Sequence, residues 1–590
     1  MKSSFAARSI IVSLAFLVLA LAGCGGGGSS TPAQPQAALT ITPSSVVVQL
    51  GGQQQFSAAF GIPGSQTPAT VTWSVGGVQG GNATVGTISA AGLYTAPNSF
   101  PATNPVSVTA TLQSNAAQVG SASVSVGFPS GTKSSQAAPI KLGTSGGNSK
   151  DSTVNNTNNT ITCCSGTLGA LVKRGANFYV LSNNHVLAES DRGTAGDPIT
   201  QPGLVDNNCR SGFQVATLNT FTPVNSASAG FKNVDAALGL IVAGTVDTSG
   251  AILDLGTPGT TSVGAAPPSV TAFNGIPPIG TNLAKVGRTT GLTCATLSSI
   301  QSVQIKYETT CGSNVTAFTS TFTNQLIING ASFSNSGDSG SLVVDAATSR
   351  AVGLLYGGDT TSTTAHPIGD VFTALTTAEG TPAIVGGADH AVSCVPMAPG
   401  AASPANDVST LGATEVERAR GAREAAMTQL SDPSISRVEI GHSADNPNES
   451  AVLVYVDSSS KMALPATIQG VRTRVIRDNP DGTKLTLSKA DFDRGMALKD
   501  KYVETMLGEQ GVFGVGVAMS DDNPGEPAII ISVDQSLGHQ QFPTVLDGMR
   551  TKIVEAEPYK SFDWNHSLEP KVVGCPKPEI HKKNVTLNVK

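Results

Sequence analysis

The chain has 590 residues, which is enough for several domains of ordinary size. Charged residues make up only 13% of it, against ~25% in a usual globular protein, while glycine is abundant at 65 residues. This composition is typical of β-rich exported proteins, and a net charge of −6 without any basic cluster argues against nucleic acid as a partner.

Residues 1–23 have the pattern of a signal peptide. An apolar run at 10–22 follows two basic residues and is too short to span a membrane comfortably. The run ends in Leu21-Ala22-Gly23-Cys24, which resembles the bacterial lipoprotein cleavage box. The resemblance implies that Cys24 is lipidated and anchors the protein to a membrane of the bacterial cell envelope through its acyl chains. The alternative is an ordinary cleaved signal with a chance cysteine.

A flexible tether at 24–37 precedes a β-rich stretch at 38–127. Apolar residues alternate there with Ser and Thr, which predicts strands at 39–41, 46–48, 71–75, 106–111 and 122–126. Their spacing favours a β-sandwich. The segments around Trp73 and at 86–97 resemble bacterial immunoglobulin-like surface domains. We expect Trp73 to lie in the core and the domain to be a spacer, with adhesion as the alternative.

Residues 128–160 are rich in Ser, Asn, Gly and Thr and are predicted to be a linker. Next, a strand at 166–172 and a buried strand at 178–181 lead to His185. Asp235 follows 50 residues later, at the start of an apolar strand that is predicted to be buried. An unpaired buried carboxylate is costly, so we expect Asp235 to accept a hydrogen bond from an imidazole N–H.

A small-residue turn at 335–341 carries Ser339 and runs into an apolar strand. Gly337 and Gly340 permit a tight, partly left-handed turn there. In such a turn the N–H groups of Gly337 and Ser339 can point the same way and form an oxyanion hole.

The order His185, Asp235, Ser339 and the local motifs resemble the chymotrypsin-like serine peptidases, over residues 161–380. The resemblance implies two β-barrels with the site in the cleft between them. It also implies that Ser339 is the nucleophile, that His185 is the general base and then acid, and that Asp235 orients the imidazole. It implies no cofactor and no metal, with a protein or peptide as substrate.

Three further residues near the site bear on activation and specificity. In trypsin-like digestive enzymes an aspartate at this position pairs with the amine that activation cleavage frees. Because an anchor, a sandwich and a linker precede the peptidase region here, no such amine is evident, and Asp338 is expected to hydrogen-bond locally within the turn. Phe333 lies six positions before Ser339, where a trypsin-type pocket has an aspartate, so small or apolar substrate side chains are expected. His366 is a second candidate for the specificity pocket, with a packing or surface role as its alternative.

Seven cysteines remain besides Cys24, and an exported chain favours disulfides. Because seven is an odd number, one of these cysteines is expected to have no disulfide partner among the other six. The expected pairs are Cys294 with Cys311, which flank a predicted hairpin, Cys209 with either Cys163 or Cys164, and Cys394 with Cys575.

A linker at 381–411 leads to an internal repeat, with copies at 412–478 and 485–558 and a tail at 559–590. Matching segments such as 445–447 and 522–524 lie 77 residues apart. Each copy is predicted to be a helix followed by strands, and Ser488 with Asp491 has the pattern of a capping box. We expect two related α+β lobes that pair with each other. Whether they gate the cleft stays open.

The sequence thus predicts a multidomain, mainly β protein: a β-sandwich, a two-barrel peptidase and an α+β tandem repeat. The predicted function is an exported, lipid-anchored serine endopeptidase. The alternatives are a catalytically silent surface-binding or adhesion protein on a peptidase scaffold, and an enzyme that cuts only itself.

Overall fold

A computed structural model shows a mainly β chain with several sheets. The predicted signal peptide and Cys24 lie outside the described residues. Among the residues described, none of the helices combines the length and the hydrophobicity that crossing a membrane requires. The structure describes residues 37–49, 52–62, 65–97, 101, 105–127, 131–155, 160–255, 276–308, 310–311, 315–330, 333–392, 405–457, 460, 464–478 and 486–561.

The N-terminal β region contains all five strands predicted for it. Its strands form three sheets, ordered β1-β4-β5, β3-β10-β9-β8 and β2-β12-β11-β6-β7. One apolar cluster is shared between them, and it includes the buried Trp73, which confirms the predicted core role. The strands are β1 (Ala38–Thr42), β2 (Ser45–Gln49), β3 (Gln53–Gln55), β4 (Ser57–Ile62), β5 (Ser65–Pro68), β6 (Val71–Val75), β7 (Val78–Gln79), β8 (Gly81–Asn82), β9 (Gly86–Ile88), β10 (Leu93–Thr95), β11 (Val106–Leu112) and β12 (Val119–Gly127).

The central region, which carries the candidate site, contains sixteen strands and two helices among its described residues. They are β13 (Thr144–Asn148), β14 (Ser152–Asn155), β15 (Thr160–Cys163), β16 (Gly166–Leu168), β17 (Ala170–Arg174), β18 (Asn177–Ser182), α1 (Asn184–Leu187), β19 (Pro198–Gln201), β20 (Phe213–Phe221), β21 (Ala237–Ile241), β22 (Asn282–Gly287), β23 (Gly291–Glu308), β24 (Thr316–Asn329), β25 (Leu342–Asp345), β26 (Ala351–Gly358), β27 (Ser362–Pro367), α2 (Ile368–Ala374) and β28 (Ala383–Ile384).

Two large sheets and the small two-stranded sheet β14-β15 form this region. The first runs β16-β13-β19-β20-β21-β18-β17-β28, and only Gly169 separates β16 from β17. Strands β16 and β17 are therefore nearly continuous; β16 pairs with β13, and β17 pairs with β18. The second contains β22-β25-β26-β27-β24-β23, and an additional pairing of β22 with β23 closes these six strands into a ring. His185 and Asp235 lie in connections of the first sheet, and Ser339 lies in a connection of the second.

The predicted linker at 128–160 is wrong over much of its described part. Strand β13 pairs with both β16 and β19 inside the first sheet. Its small residues are needed for close packing, because a Cβ on Gly146 would lie 2.4 Å from Leu168 Cγ. The linker predicted at 381–411 is wrong in the same way at its start, since β28 pairs with β17. Both segments thus contribute strands to the first sheet.

The disulfides differ from one of the predicted pairs. Cys209 bonds to Cys163, which confirms one of its two expected partners. Cys311 bonds to Cys164 rather than to Cys294. Adjacent cysteines thus make two separate disulfides, one within the first sheet region and one that crosses to the second. The pair predicted between Cys394 and Cys575 falls outside the described residues.

The C-terminal repeat has the predicted α+β pattern. The first copy contains α3 (Ala413–Gln429), β29 (Ile435–His442), β30 (Ser450–Asp457), β31 (Thr467–Ile468) and β32 (Val471–Asp478). The second contains α4 (Lys489–Leu507), β33 (Val512–Met519), β34 (Pro527–Asp534), β35 (Val545–Leu546) and β36 (Met549–Ala556), and it is followed by β37 (Lys560–Ser561). Their strand orders match, as β29-β30-β32-β31 and β33-β34-β36-β35. Ser488 caps α4 by accepting the N–H of Asp491, as predicted.

One connection of the repeat was not predicted. Strand β33 pairs antiparallel with β23, so the sheet of the second copy continues the second sheet of the central region. The segment predicted as a tail at 559–590 begins with β37, which pairs with β23 and β26. The second copy is therefore joined to the region that carries Ser339.

The two copies bind each other through reciprocal contacts. Asp522 accepts from Ser443 Oγ at 2.6 Å, and Asp445 accepts from Ser520 Oγ at 2.5 Å. Burial, together with the like charge of Asp522, raises the pKa of Asp445 to about 6. The predicted pairing of the lobes is confirmed.

A pair of arginines repeats this exchange. The buried guanidinium of Arg472 donates to the carbonyl of Thr551 at 2.6 Å, and that of Arg550 donates to the carbonyl of Thr473 at 2.9 Å. Each cation therefore satisfies a backbone carbonyl of the opposite copy. Its Nε also donates to a glutamate of its own copy, Glu449 for Arg472.

The variant Arg472→Ala should lower the free energy of unfolding of the repeat pair by about 2–4 kcal/mol, because it leaves a buried carbonyl without its charged donor. A urea titration read by hydrogen exchange in β32 and β36 would measure it. The control is Arg420→Ala, since Arg420 is 62% exposed and pairs with an exposed glutamate, and it should change stability by less than about 1 kcal/mol. Equal effects of the two variants would contradict the reciprocal interface.

Candidate active site

His185 is held by a short, fully buried turn. Strand β18 ends at Ser182, and His185 lies on the one-turn helix α1 that follows. Two asparagines fix this turn. Asn183 Nδ2 donates to the carbonyl of Asp235 at 2.7 Å, and Asn184 Nδ2 donates to the carbonyl of Thr222 at 2.7 Å. The position of the imidazole is thus tied to the strand connection that carries Asp235.

Asp235 lies two residues before β21, and not within the strand as its sequence context had indicated. Its carboxylate is fully buried and contacts His185 twice: Oδ2 lies 2.5 Å from Nδ1, and Oδ1 accepts the backbone N–H at 3.3 Å. Tyr307 from β23 donates its hydroxyl to Oδ2 at 2.9 Å. The expected imidazole donor for Asp235 is confirmed.

The charge state of Asp235 follows from these contacts. Burial alone would raise its pKa, but the charge and the hydrogen bond of His185 outweigh burial, with smaller contributions from His366 and Tyr307. The net effect is a pKa below the usual value, so the carboxylate is ionised at neutral pH.

His366 lies behind Asp235 and is fully buried. Its Nε2 accepts the backbone N–H of Asp235 at 2.8 Å, so the ring proton is on Nδ1, which donates to Gln325 Oε1 at 2.7 Å. Its ring stacks on Tyr356 with centroids 3.7 Å apart. Burial lowers the pKa of His366 to about 3, and the ring is neutral. These contacts agree with the packing alternative; a role in specificity stays a prediction.

Phe333, the other candidate pocket residue, is also fully buried. It belongs to an apolar cluster with Leu283 and Val343, and Lys285 Nζ lies 5.6 Å from the centroid of its ring. An aromatic ring packed within this apolar cluster therefore occupies residue 333. Its influence on specificity stays a prediction.

The turn that carries Ser339 has the predicted conformation. Gly337 and Gly340 have φ values of +92° and +91°, which side chains rarely adopt. Protein atoms also crowd both positions: a Cβ on Gly337 would lie 2.6 Å from Thr289 Oγ1, and one on Gly340 would lie 2.1 Å from Ser182 Oγ. The glycines are therefore needed for close packing of the turn as well as for its backbone conformation.

Hydrogen-bond donors of this turn are left for a ligand. Among the described residues, no acceptor takes the N–H of Gly337 or that of Ser339. The hydroxyl of Ser339 donates to the carbonyl of Tyr356 at 3.2 Å. The two N–H groups are the ones predicted to form an oxyanion hole.

Asp338 has the local role expected for it. Its carboxylate accepts the N–H groups of Asn335 at 2.9 Å and Thr289 at 2.8 Å, together with the hydroxyl of Thr290 at 2.7 Å. Lys285 Nζ lies 3.7 Å away, and both charged groups are buried. Burial lowers the pKa of Lys285 to about 8, although Asp338 opposes this shift. The carboxylate thus braces the turn against the β22–β23 connection.

Thr167 joins the Ser339 turn to the first sheet. Its N–H donates to the carbonyl of Ser339 at 2.8 Å, and its hydroxyl donates to the carbonyl of Gly337 at 2.9 Å. A Cβ on Gly166 would lie 2.5 Å from Val186 Cγ2 and 3.0 Å from the carbonyl oxygen of Ser339. Val186, the residue after His185, and the backbone of Ser339 therefore both lie next to Gly166.

The structure brings two of the three predicted catalytic residues, His185 and Asp235, into contact, whereas the hydroxyl of Ser339 bonds to the carbonyl of Tyr356 and is linked to Asp235 indirectly. His185 and Asp235 are in direct contact, and Asp235 connects through His366 to Tyr356, whose carbonyl holds the hydroxyl of Ser339. All three predicted side chains are at most 1% exposed.

Sequence analysis missed Tyr307 and Thr167. Val303, Ile305 and Tyr307 alternate along β23 and face one apolar cluster. This alternation predicts a buried tyrosine, and a buried phenol needs a hydrogen-bond partner. The partner itself, Asp235, lies in a connection of the first sheet, and its contact with Tyr307 cannot be predicted from the local sequence. For Thr167 we see no local signal.

Comparison with known proteins adds no assignment. No family model matches the chain, and no curated protein matches it. The resemblance to chymotrypsin-like peptidases therefore depends on the motifs of this chain alone.

The neutral state of His366 predicts a pH dependence of stability. Its pKa falls from 6.5 to about 3 on folding, so the unfolded chain binds more protons within that window. Stability should therefore fall as the pH is lowered from 6.5, by at most about 1.4 kcal/mol per pH unit. The lowered pKa of Asp235 acts below its ordinary value of 3.8. The raised pKa of Asp445 acts with the opposite sign between 3.8 and about 6, so the His366 contribution is the difference in slope between wild type and a variant that does not ionise at residue 366.

Urea unfolding at several pH values would measure this slope. The variant His366→Gln keeps a donor and an acceptor but does not ionise, so its slope should be smaller by that amount. The control His539→Gln removes a histidine that is 69% exposed and should keep the wild-type slope. A slope in His366→Gln that equals the wild-type slope would contradict the neutral assignment.

Proposed function

We propose that the chain is a serine endopeptidase that hydrolyses peptide bonds through His185, Asp235 and Ser339. The observation that carries the proposal is the buried hydrogen bond of 2.5 Å between His185 Nδ1 and Asp235 Oδ2, beside a glycine turn that presents Ser339. A buried carboxylate on Nδ1 fixes the tautomer that leaves Nε2 as the base and stabilises the imidazolium that forms.

The reaction would begin when the hydroxyl of Ser339 turns from the carbonyl of Tyr356 toward the imidazole. His185 takes the proton, and Ser339 Oγ attacks the carbonyl carbon of the scissile bond. The N–H groups of Gly337 and Ser339 stabilise the negative oxygen of the tetrahedral intermediate. His185 then gives the proton to the leaving amine, and an acyl-enzyme remains. Water, activated by the same imidazole, releases it.

The compartment is part of the proposal. Two disulfides, Cys163–Cys209 and Cys164–Cys311, are typical of a protein that folds outside the cytoplasm. The cleavage box around Cys24 supports a lipid anchor in the bacterial cell envelope, on the periplasmic side or at the surface. The substrate would then be an exported protein or peptide.

Substitution of the nucleophile tests the proposal. The variant Ser339→Ala should lose covalent labelling by a fluorophosphonate probe and should lower peptide turnover by about a millionfold if the three residues act as a unit. The measurements are labelling read by mass spectrometry and cleavage of casein by the chain without residues 1–24. The control is Ser349→Ala, another buried serine, whose hydroxyl bonds only locally; it should label like wild type. Equal labelling of Ser339→Ala and wild type would refute the proposal.

Tyr307 provides a second test. The variant Tyr307→Phe removes the hydroxyl that donates to Asp235 and keeps the ring that stacks on Phe318. Hydrogen bonds to charged groups contribute about 1.5–3 kcal/mol, so kcat should fall roughly 10- to 100-fold with little change in KM. Steady-state kinetics would measure it. The control Tyr179→Phe makes the same change at a buried tyrosine that bonds Glu379 instead. If the two variants lose activity equally, Tyr307 has no special role.

A further inference from the structure

Strand β37 lies against β26, the strand that ends with Tyr356, Gly357 and Gly358. It pairs antiparallel with β26, with Ser561 opposite Gly357 and Lys560 opposite Gly358. A Cβ on Gly357 would lie 2.4 Å from the carbonyl oxygen of Lys560, so the two backbones are in close contact. Ser561 is fully buried.

The edge that β37 occupies begins next to the nucleophile. Gly357 and Gly358 directly follow Tyr356, whose carbonyl accepts the hydroxyl of Ser339 at 3.2 Å. Strand β25 pairs with β26 only as far as Leu354, while β27 covers the other side of both glycines. The remaining backbone edge is open to one more strand, and β37 takes it.

The direction and alternation of β37 are those of a bound peptide. Because the pairing is antiparallel, β37 runs toward Tyr356 and the Ser339 turn in its N-to-C direction. The carbonyl of Tyr559 accepts the N–H of Lys306 from β23 at 3.1 Å. Successive residues of a strand point their backbone groups to opposite sides, so the N–H and C=O of Lys560 face Gly358.

An aromatic anchor holds β37 in place. Tyr559 is fully buried and meets the ring of Phe513 edge-on, with centroids 4.9 Å apart. Both belong to the apolar cluster that includes Tyr307 and Tyr356. Phe513 lies in β33 of the second repeat copy, so the repeat and the candidate site share one core.

We propose that β37 is an autoinhibitory strand: it occupies the backbone edge at Gly357 and Gly358 on which an extended substrate must pair to reach Ser339. The inference depends on the proposed function and deepens it. Added strands bind through main-chain hydrogen bonds, so this chain's own segment and a substrate peptide compete for the same groups. The near-complete burial of His185 and Ser339 agrees with a closed site. Release of β37 opens the edge.

The test compares two substitutions at one residue of the full chain. The variant Lys560→Pro removes the N–H that faces Gly358, and it leaves the contact between the carbonyl of Tyr559 and Lys306. The control Lys560→Ala keeps the backbone donor. Labelling of Ser339 by a fluorophosphonate probe should be roughly tenfold faster or more in Lys560→Pro, the change expected from losing one or two backbone hydrogen bonds. Lys560→Ala should label within about twofold of wild type.

A synthetic peptide with the sequence of residues 556–561 provides the complement. In excess, it should slow the labelling of Lys560→Pro back toward the wild-type rate. A second measurement needs no proline: in the Ser339→Ala chain, the same peptide should accelerate hydrogen exchange at residues 559–561, because it displaces β37 from the edge.

The outcomes separate the two proposals. If wild type and Lys560→Pro label equally fast at Ser339, and the peptide leaves exchange at 559–561 unchanged, autoinhibition is overturned and the hydrolase stands. If no variant labels at Ser339 even though the peptide displaces β37, the proposed hydrolase function is refuted, and the autoinhibitory role of β37 is refuted with it.

Discussion

The buried carboxylate of Asp235 is the constraint on which the candidate site depends. A buried charge is tolerated only with enough donors around it. Here the donors come from both sheets: His185 belongs to the first, and Tyr307 belongs to the second. The backbone N–H of Asp235 is also satisfied from the second sheet, by His366. A shift of one sheet relative to the other would remove some of the donors around the Asp235 carboxylate. The carboxylate therefore constrains the relative position of the two sheets, and it also constrains the position of the His185 imidazole.

The Ser339 turn is set by the same junction. Thr167 of the first sheet holds two carbonyls of the turn, and Asp338 ties it to the β22–β23 connection of the second. The carbonyls of Gly337 and Ser339 and the Asp338 carboxylate are engaged, and among the described residues no acceptor takes the backbone N–H groups of Gly337 and Ser339. Donors that are fixed before a ligand arrives need no reorganisation when negative charge develops on it.

Local patterns predicted much of this arrangement. The His185–Asp235 contact, the left-handed glycines around Ser339, the core role of Trp73 and the repeated lobes all follow from residue type and spacing. What failed was non-local. Nothing near Cys311 indicates that Cys164 is its partner, and nothing in the small polar residues of β13 shows that they form the middle of a sheet. Strand pairing depends on the whole fold, so a segment such as 144–148 is predicted to be a linker when only its own residues are considered.

Two such non-local strand pairings connect the repeat pair to the region of the candidate site. Strand β33 continues the sheet of β23, and β37 leaves the second copy to lie on the edge beside Tyr356. The first copy contacts the second through the exchanged hydrogen bonds of Arg472 and Arg550. A ligand or partner that distorts the pair would act on Phe513 and Tyr559, which share a core with Tyr307. Because Tyr307 also donates to Asp235, such a distortion would alter the candidate site through contacts that are already in place.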